Sequence, residues 1–341
     1  MNTLPNTITV YTEKSGGHLQ GIAIDRERHF LYCSFTTCLM KFDLEGSLIG
    51  SVTGLAGHLG CLAYNKRDGK IYGSLEYKQD KIGQGIIDRL GYTDKLQDGF
   101  YVVRFDPEKI TAPDMDARDI MEAVFLKEVL DDYAAPGHRF GCSGIDGLTF
   151  APSMEDHTGH FLYVAYGIYS DTNRTDNDYQ VLLKYDISNW DSFAAPLDQR
   201  NMHTQGPEKP DEKYFVYTGN TSYGIQNLEY DPCTNTMIAA VYRGKKEQFH
   251  NYPMFFIDCA QPPRSELLRG IGTTAPVLSL TDFRGSNHLC GSEFPFGSTG
   301  IIALGNNLFY ISEHYRTEQG YGGVIRLYRL DKTQLTFIPK E

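Results

Sequence analysis

The sequence is poor in the marks of a polymer partner, a membrane or a familiar catalytic motif. Lys and Arg number 32 against 43 Asp and Glu, the net charge is −11, and the basic residues nowhere cluster. A nucleic-acid binder needs a concentrated basic footprint to track phosphates, so nucleic acid is not an expected partner. No stretch approaches the roughly 18 consecutive apolar residues of a membrane helix, so no membrane partner is expected either. The start, Met1-Asn2-Thr3-Leu4-Pro5, lacks a charged segment followed by an apolar one. No signal peptide is therefore expected in this chain, whether it is cytoplasmic or exported with a signal already removed.

Cysteine is sparse too: seven residues, odd in number, scattered, and without a C-x-x-C pair. Reduced thiols that pack as small hydrophobes are the expectation. Only Cys33 and Cys38, flanking a short turn, are placed to face each other across two strands. No P-loop, nucleophile elbow, H-E-x-x-H or dinucleotide fingerprint is present. Trp occurs once, but 23 Tyr, 19 Phe and an apolar fraction of 41% supply core material for one folded domain over residues 1–341.

What the chain does have is a phrase written five times. A small-residue turn leads into a short apolar strand, a polar turn follows, and a second, Tyr-rich strand ends the phrase. The copies begin at Gly17-His18-Leu19-Gln20, Gly57-His58-Leu59-Gly60, Ser143-Gly144-Ile145-Asp146, Tyr223-Gly224-Ile225-Gln226 and Gly297-Ser298-Thr299-Gly300. A third strand follows each pair and ends in Asp43, Asp106, Asp186, Asp258 or Asp331, a residue whose side chain makes a local turn and stops a strand. Fourth strands are expected at Leu48 to Val52, Ala123 to Leu130, Tyr214 to Tyr217 and Val277 to Leu280. Repeated four-stranded antiparallel units with no helical pattern between them predict an all-β propeller of five blades, with six as the alternative. Either terminus, Thr7 to Thr12 or Gln334 to Ile338, can supply the strand that closes the ring.

In such a ring the starts of the first strands and the ends of the second strands meet around one channel mouth. Aligning the copies puts His18 and His58 at one level and Gln20, Asp146 and Gln226 two residues further on, about 6.6 Å along the same side of a strand. The second strands bring Glu76, Tyr77, Tyr166, Tyr242, Arg243, Glu313, His314 and Arg316 toward the same rim. Long polar insertions follow them at 78–99, 167–180, 244–252 and 317–323, and long loops on one face of a rigid scaffold are where binding and catalysis concentrate. Loops between blades add His138, Arg139, Asn287, His288 and Glu293.

Three readings of this collar stand side by side. His18, His58 and Asp146 can hold one divalent ion, Zn through imidazole or Ca and Mg through oxygens. Alternatively His18 or His58 is a general base, with His314 and Glu313 beside it and Arg243 or Arg316 neutralising a substrate carboxylate or developing oxyanion. In the third reading the histidines only satisfy backbone groups at the neck of the channel. Glu76, Glu313 and Asp146 also offer an acid/base pair for glycoside hydrolysis, with a separation that decides the stereochemistry. Gln20, Glu76, Tyr77, Tyr166, Gln226, Tyr242, Arg243 and Arg316 are the expected substrate contacts.

The run Gln20-Gly21-Ile22-Ala23-Ile24-Asp25, followed by Leu31-Tyr32 and Lys41-Phe42-Asp43-Leu44-Glu45-Gly46, resembles a blade of the gluconolactonase and strictosidine-synthase-like superfamily or of its NHL-repeat relatives. That resemblance implies six blades, a central calcium held by Glu, Asn and Asp, and action on lactones or esters. Asp146 and Asn227 sit where such ligands would be, whereas His18 and His58 depart from the pattern. The expectation is an enzyme that hydrolyses a lactone- or ester-type bond in a small oxygen-rich molecule, with metal assistance. A carbohydrate-active glycosidase or lyase and a non-catalytic binding scaffold are the alternatives.

Overall fold

A computed structural model describes residues 4–93, 96–281 and 291–341. Its strands form five sheets, one per copy of the phrase, so the ring has five blades and not six. The innermost strands are Leu19–Asp25, His58–Asn65, Cys142–Ala151, Ser222–Asp231 and Ile301–Gly305, in that order around the ring. The Asp residues that close the third strands do what their chemistry predicts. Their carboxylates accept backbone N–H groups a few residues on: Asp43 from Ser47 at 2.7 Å, Asp186 from Ser188 at 2.9 Å and Asp331 from Thr333 at 2.9 Å.

The outer strands depart from expectation in two blades. In blade 2 the strand ends at Phe125 and the chain turns into a helix, Lys127–Ala134, where one continuous strand to Leu130 was expected. The segment Thr274–Leu278 belongs to blade 3, where it runs parallel to Glu212–Tyr217 with Phe215 opposite Val277. It packs on blade 4 through Leu278, and just beyond it Leu280 bridges to Ile257, but Gly291–Ser292 is what pairs with blade 4's third strand. A hydrophobic strand shows its length in the sequence but not which neighbour it joins.

Both termini close the ring. Thr7–Glu13 pairs with one half of the long strand Gly320–Asp331, and Thr336–Pro339 pairs with the other half. Five buried apolar clusters fill the five seams between blades. Small residues in the inner strands let them approach closely: a side chain built on Gly21 would lie 2.8 Å from the Cys61 α-carbon. Asn227 reaches across the axis, donating to the carbonyls of Gln20 at 2.8 Å and Ser298 at 2.9 Å in two other blades. Its amide is thereby committed to tying the ring.

The six cysteines among the described residues are free thiols. Cys33 pairs with Met40 and Cys38 with Phe35, so the two expected partners lie diagonally on the ladder and are not opposed. No helix of the described residues is long and apolar enough to cross a membrane.

Candidate active site at the channel mouth

The starts of the inner strands open into a cavity of about 240 Å³. Blade 1 contributes His18 and Gln20, blade 2 His58, Glu76 and Lys78, blade 3 Ser143 and Asp146, and blade 4 Tyr223, Gln226 and Tyr242. Ile82, from the helix Lys81–Leu90 inserted in blade 2, covers one side.

Three donor groups converge on the floor. His58 Nδ1 lies 3.6 Å from Glu76 Oε1 and 3.6 Å from Asp146 Oδ1, and the ligand atoms of the three all lie within 4.8 Å of one another. At 3.6 Å these are not hydrogen bonds, and His58 Nδ1 is buried without a partner. An unpaired buried polar atom costs about 1–3 kcal/mol. A separation near 3.6 Å is what two ligands about 2.2 Å from one tetrahedral ion would show.

The surroundings fix the carboxyls. Lys78 pairs with Glu76 Oε1 and donates to the Ser143 carbonyl at 2.9 Å, while the Ile145 N–H donates to Glu76 Oε2 at 3.0 Å. Gln226 donates to Asp146 Oδ2 at 3.0 Å. Burial pushes the Glu76 carboxyl up even though Lys78 pulls it down; burial and the neighbouring Glu76 push Asp146 well above the usual carboxylate range. One ammonium thus faces two carboxyls, which leaves the floor short of positive charge.

The imidazoles are held neutral. Burial, helped by Lys78, lowers His58 to about 3, and burial with the nearby His314 lowers His18 to about 4. A general base works best with a pKa near the operating pH, so these values count against that role. A neutral imidazole is the form that binds metal. Together with the orphaned nitrogen, this favours the ion-holding reading for His58, with Glu76 as the third donor. His18 is not in that trio; its ring packs on His314, with centroids 4.0 Å apart. An imidazole beside two carboxylates fits a small transition-metal ion better than Ca²⁺, which takes about six to eight oxygens. Asn227, a ligand position by resemblance, is not one of these three donors; its Nδ2 is held by the Gln20 and Ser298 carbonyls.

Several expected site residues lie outside the cavity. Tyr77 and Tyr166 are core: Tyr77 donates to Gln199 at 2.9 Å and Tyr166 to Asp132 at 2.8 Å. Glu313 accepts from Arg326 at 3.1 Å and Tyr328 at 2.7 Å, within blade 5. Arg243 pairs with the exposed Glu293, and Arg316 packs over Tyr321 at 5.5 Å. His138 Nδ1 donates to the Tyr133 carbonyl at 2.6 Å, and Arg139 pairs with the buried Asp132. Asn287 and His288 lie outside the described residues. Strand alternation explains two pairs: Glu76 and Tyr242 line the cavity while their neighbours Tyr77 and Arg243 do not, and of Glu313 and His314 neither lines it, His314 reaching it only through its ring contact with His18. Lys78 was missed, although its position two residues after Glu76 puts both on the same side.

Comparisons with family models and with curated proteins find no match for the chain. Among solved structures, a family-43 β-1,3-galactosidase with galactodeoxynojirimycin is similar, at 10% identity and TM-score 0.46 over 95% of each chain. The periplasmic gluconolactonase of Pseudomonas aeruginosa is similar at 10% identity and TM-score 0.35, over 94% of this chain and 70% of the other. The Dos1 propeller matches at 11% identity and TM-score 0.38; this chain spans 59% of its length. The likeness is one of fold: all-β and propeller-shaped.

Proposed function

We propose that the channel mouth is the active site of a hydrolase that cleaves an ester- or lactone-type bond in a small oxygen-rich molecule. Its resident cofactor is a small divalent cation held by His58 Nδ1, Glu76 and Asp146. The observation that carries this reading is the orphaned, buried His58 nitrogen 3.6 Å from two carboxylate oxygens at the floor of an open cavity. A cation bound there supplies Lewis-acid polarisation and an acidified water.

The chain's own groups do the rest. Gln226 and Lys78 orient the two carboxylates, as supporting hydrogen bonds do at metal sites generally. Gln20, Tyr223 and Tyr242 line the walls with amide and phenol groups suited to hydroxyls. His18, neutral and with an unpartnered Nδ1, can accept a hydrogen bond from one of them. At about 240 Å³ the cavity suits a molecule no larger than a single sugar ring.

The glycosidase alternative fits less well. The nearest oxygens of Glu76 and Asp146 lie within 4.8 Å, closer than the roughly 6.5–9.5 Å of an inverting pair, so a retaining mechanism, with carboxyls about 5–5.5 Å apart, is the form of that alternative the geometry leaves. Elemental analysis of purified protein reloaded with Zn²⁺ or Mn²⁺ tests the proposal. About one equivalent is expected in the wild type, with none in His58→Ala and at least a hundred-fold loss of hydrolysis on a lactone and ester panel. No stoichiometric metal in the wild type after reloading would overturn it.

A further inference from the structure

The helix Lys81–Leu90 is an insertion that sits over the mouth, and it is firmly seated. Asp80 caps it, accepting from the N–H groups of Ile82 and Gly83 at 2.9 Å each, and the same carboxylate accepts from Tyr169 at 2.8 Å. A side chain at Gly83 would collide with the Lys78 carbonyl, so the first turn lies directly against the strand end that carries the site. Ile82, Ile86 and Arg89 follow the i, i+4, i+7 spacing and share one face. Gly83 and Ile86 are buried against the ring with Ile87 and Leu90 half-buried beside them, and Ile82, exposed at the edge of that face, lines the cavity.

Arg89, exposed on the same edge of the helix as Ile82, reaches the start of blade 1. A side chain built on Gly17, the residue before His18, would lie 2.5 Å from Arg89 Nη1. Gly17 has φ 76° and no Cβ, which leaves the guanidinium its room. Among the described residues Arg89 makes no ion pair, and its charge reaches both His18 and His58. The protein as a whole carries −11, so an anionic ligand is held only where a local cation offsets that field.

We infer that Arg89 is a specificity-determining residue that anchors an anionic group, a carboxylate in the first instance, of the molecule bound at the mouth. This rests on the reading of the mouth as the substrate site. It replaces the sequence-based expectation for Arg243 and Arg316, whose side chains lie elsewhere. The guanidinium lies beside Gly17, next to the lining residue His18, and the donor trio lies at the floor, so an acidic sugar or hydroxy acid would be gripped at its charged end and held by its oxygens below.

Calorimetric titration with glucuronate and with glucose, which share a ring and differ in the carboxylate, tests the assignment. Wild type should bind glucuronate at least ten-fold more tightly than glucose, with an affinity that falls as salt rises. Arg89→Ala should lose ten-fold or more on glucuronate and leave glucose unchanged, and Arg89→Lys should recover part of the loss. Equal binding of the two sugars by wild type, no binding of either, or an equal loss on both in Arg89→Ala would each overturn the inference. Metal content is read separately. Wild type with metal but without Arg89-dependent binding sinks this inference alone, whereas Arg89-dependent binding without metal sinks the hydrolase reading alone.

Discussion

The two mouths of the channel are built from the same five inner strands and have opposite chemistry. At the front, where the strands begin, His18, His58, Asp146 and Gln226 gather with Glu76 and Lys78 around about 240 Å³. At the rear, where they end, Ile24, Tyr64, Phe150, Tyr230 and Leu304 surround about 420 Å³, with Glu229 as the one carboxyl in the lining. The larger space is the less informative. A site needs converging groups with incomplete partners, and those are at the front. Both mouths hold a carboxyl, but the buried Glu76 has an ammonium paired with it, whereas the half-buried Glu229 accepts from the Ala303 N–H at 2.8 Å and is pushed up by desolvation to about 8 despite Thr149 and Lys66 nearby.

The sharpest way to break this contrast is to make the front resemble the rear. Lys78→Met leaves Glu76 buried and unpaired and should cost about 3–5 kcal/mol in chemical denaturation. Adding Glu76→Leu should return most of that; a single variant as stable as wild type would mean the pair is not buried in solution.

At the rear the test is pH. Glu229 binds its proton more tightly folded than unfolded, so its contribution to stability is full below about 4.5 and is lost as pH rises toward 8. Wild type should lose up to about 1 kcal/mol per pH unit across that window. Glu229→Gln should flatten this part of the profile, and an unchanged slope would show that Glu229 titrates normally.

The smallest effect belongs to Arg243→Ala. Its half-exposed pair with Glu293 should be worth under about 0.5 kcal/mol, with metal content and ligand binding unchanged. A marked change in either would return Arg243 to the site.

The fold was legible because a blade repeats. Five copies of one phrase, each with its Asp-terminated third strand, show a period that no helix shares. The helices Lys81–Leu90 and Lys127–Ala134 were not legible, since each occurs once and owes its place to packing on the ring. The site was legible as an address: the levels of His58, Asp146 and Gln226 follow from aligning the copies. Which side each second-strand residue takes was also readable from alternation, and applying it would have separated Glu76 from Tyr77 and brought in Lys78. Arg89 was beyond reach, because an arginine on an insertion carries no mark of the loop it will come to rest against.

The shared strand at the seam sets a timetable for synthesis. Thr7–Glu13 is made roughly 310 residues before its partner, Gly320–Asp331. At about 5–20 residues per second the first strand waits roughly 15–60 s with its edge unpaired. Over that interval the newborn chain is an open arc with a sticky end, and another such chain offers the same edge. Slowing translation between these two strands should therefore lower the yield of folded chain more than slowing it after Gly320–Asp331.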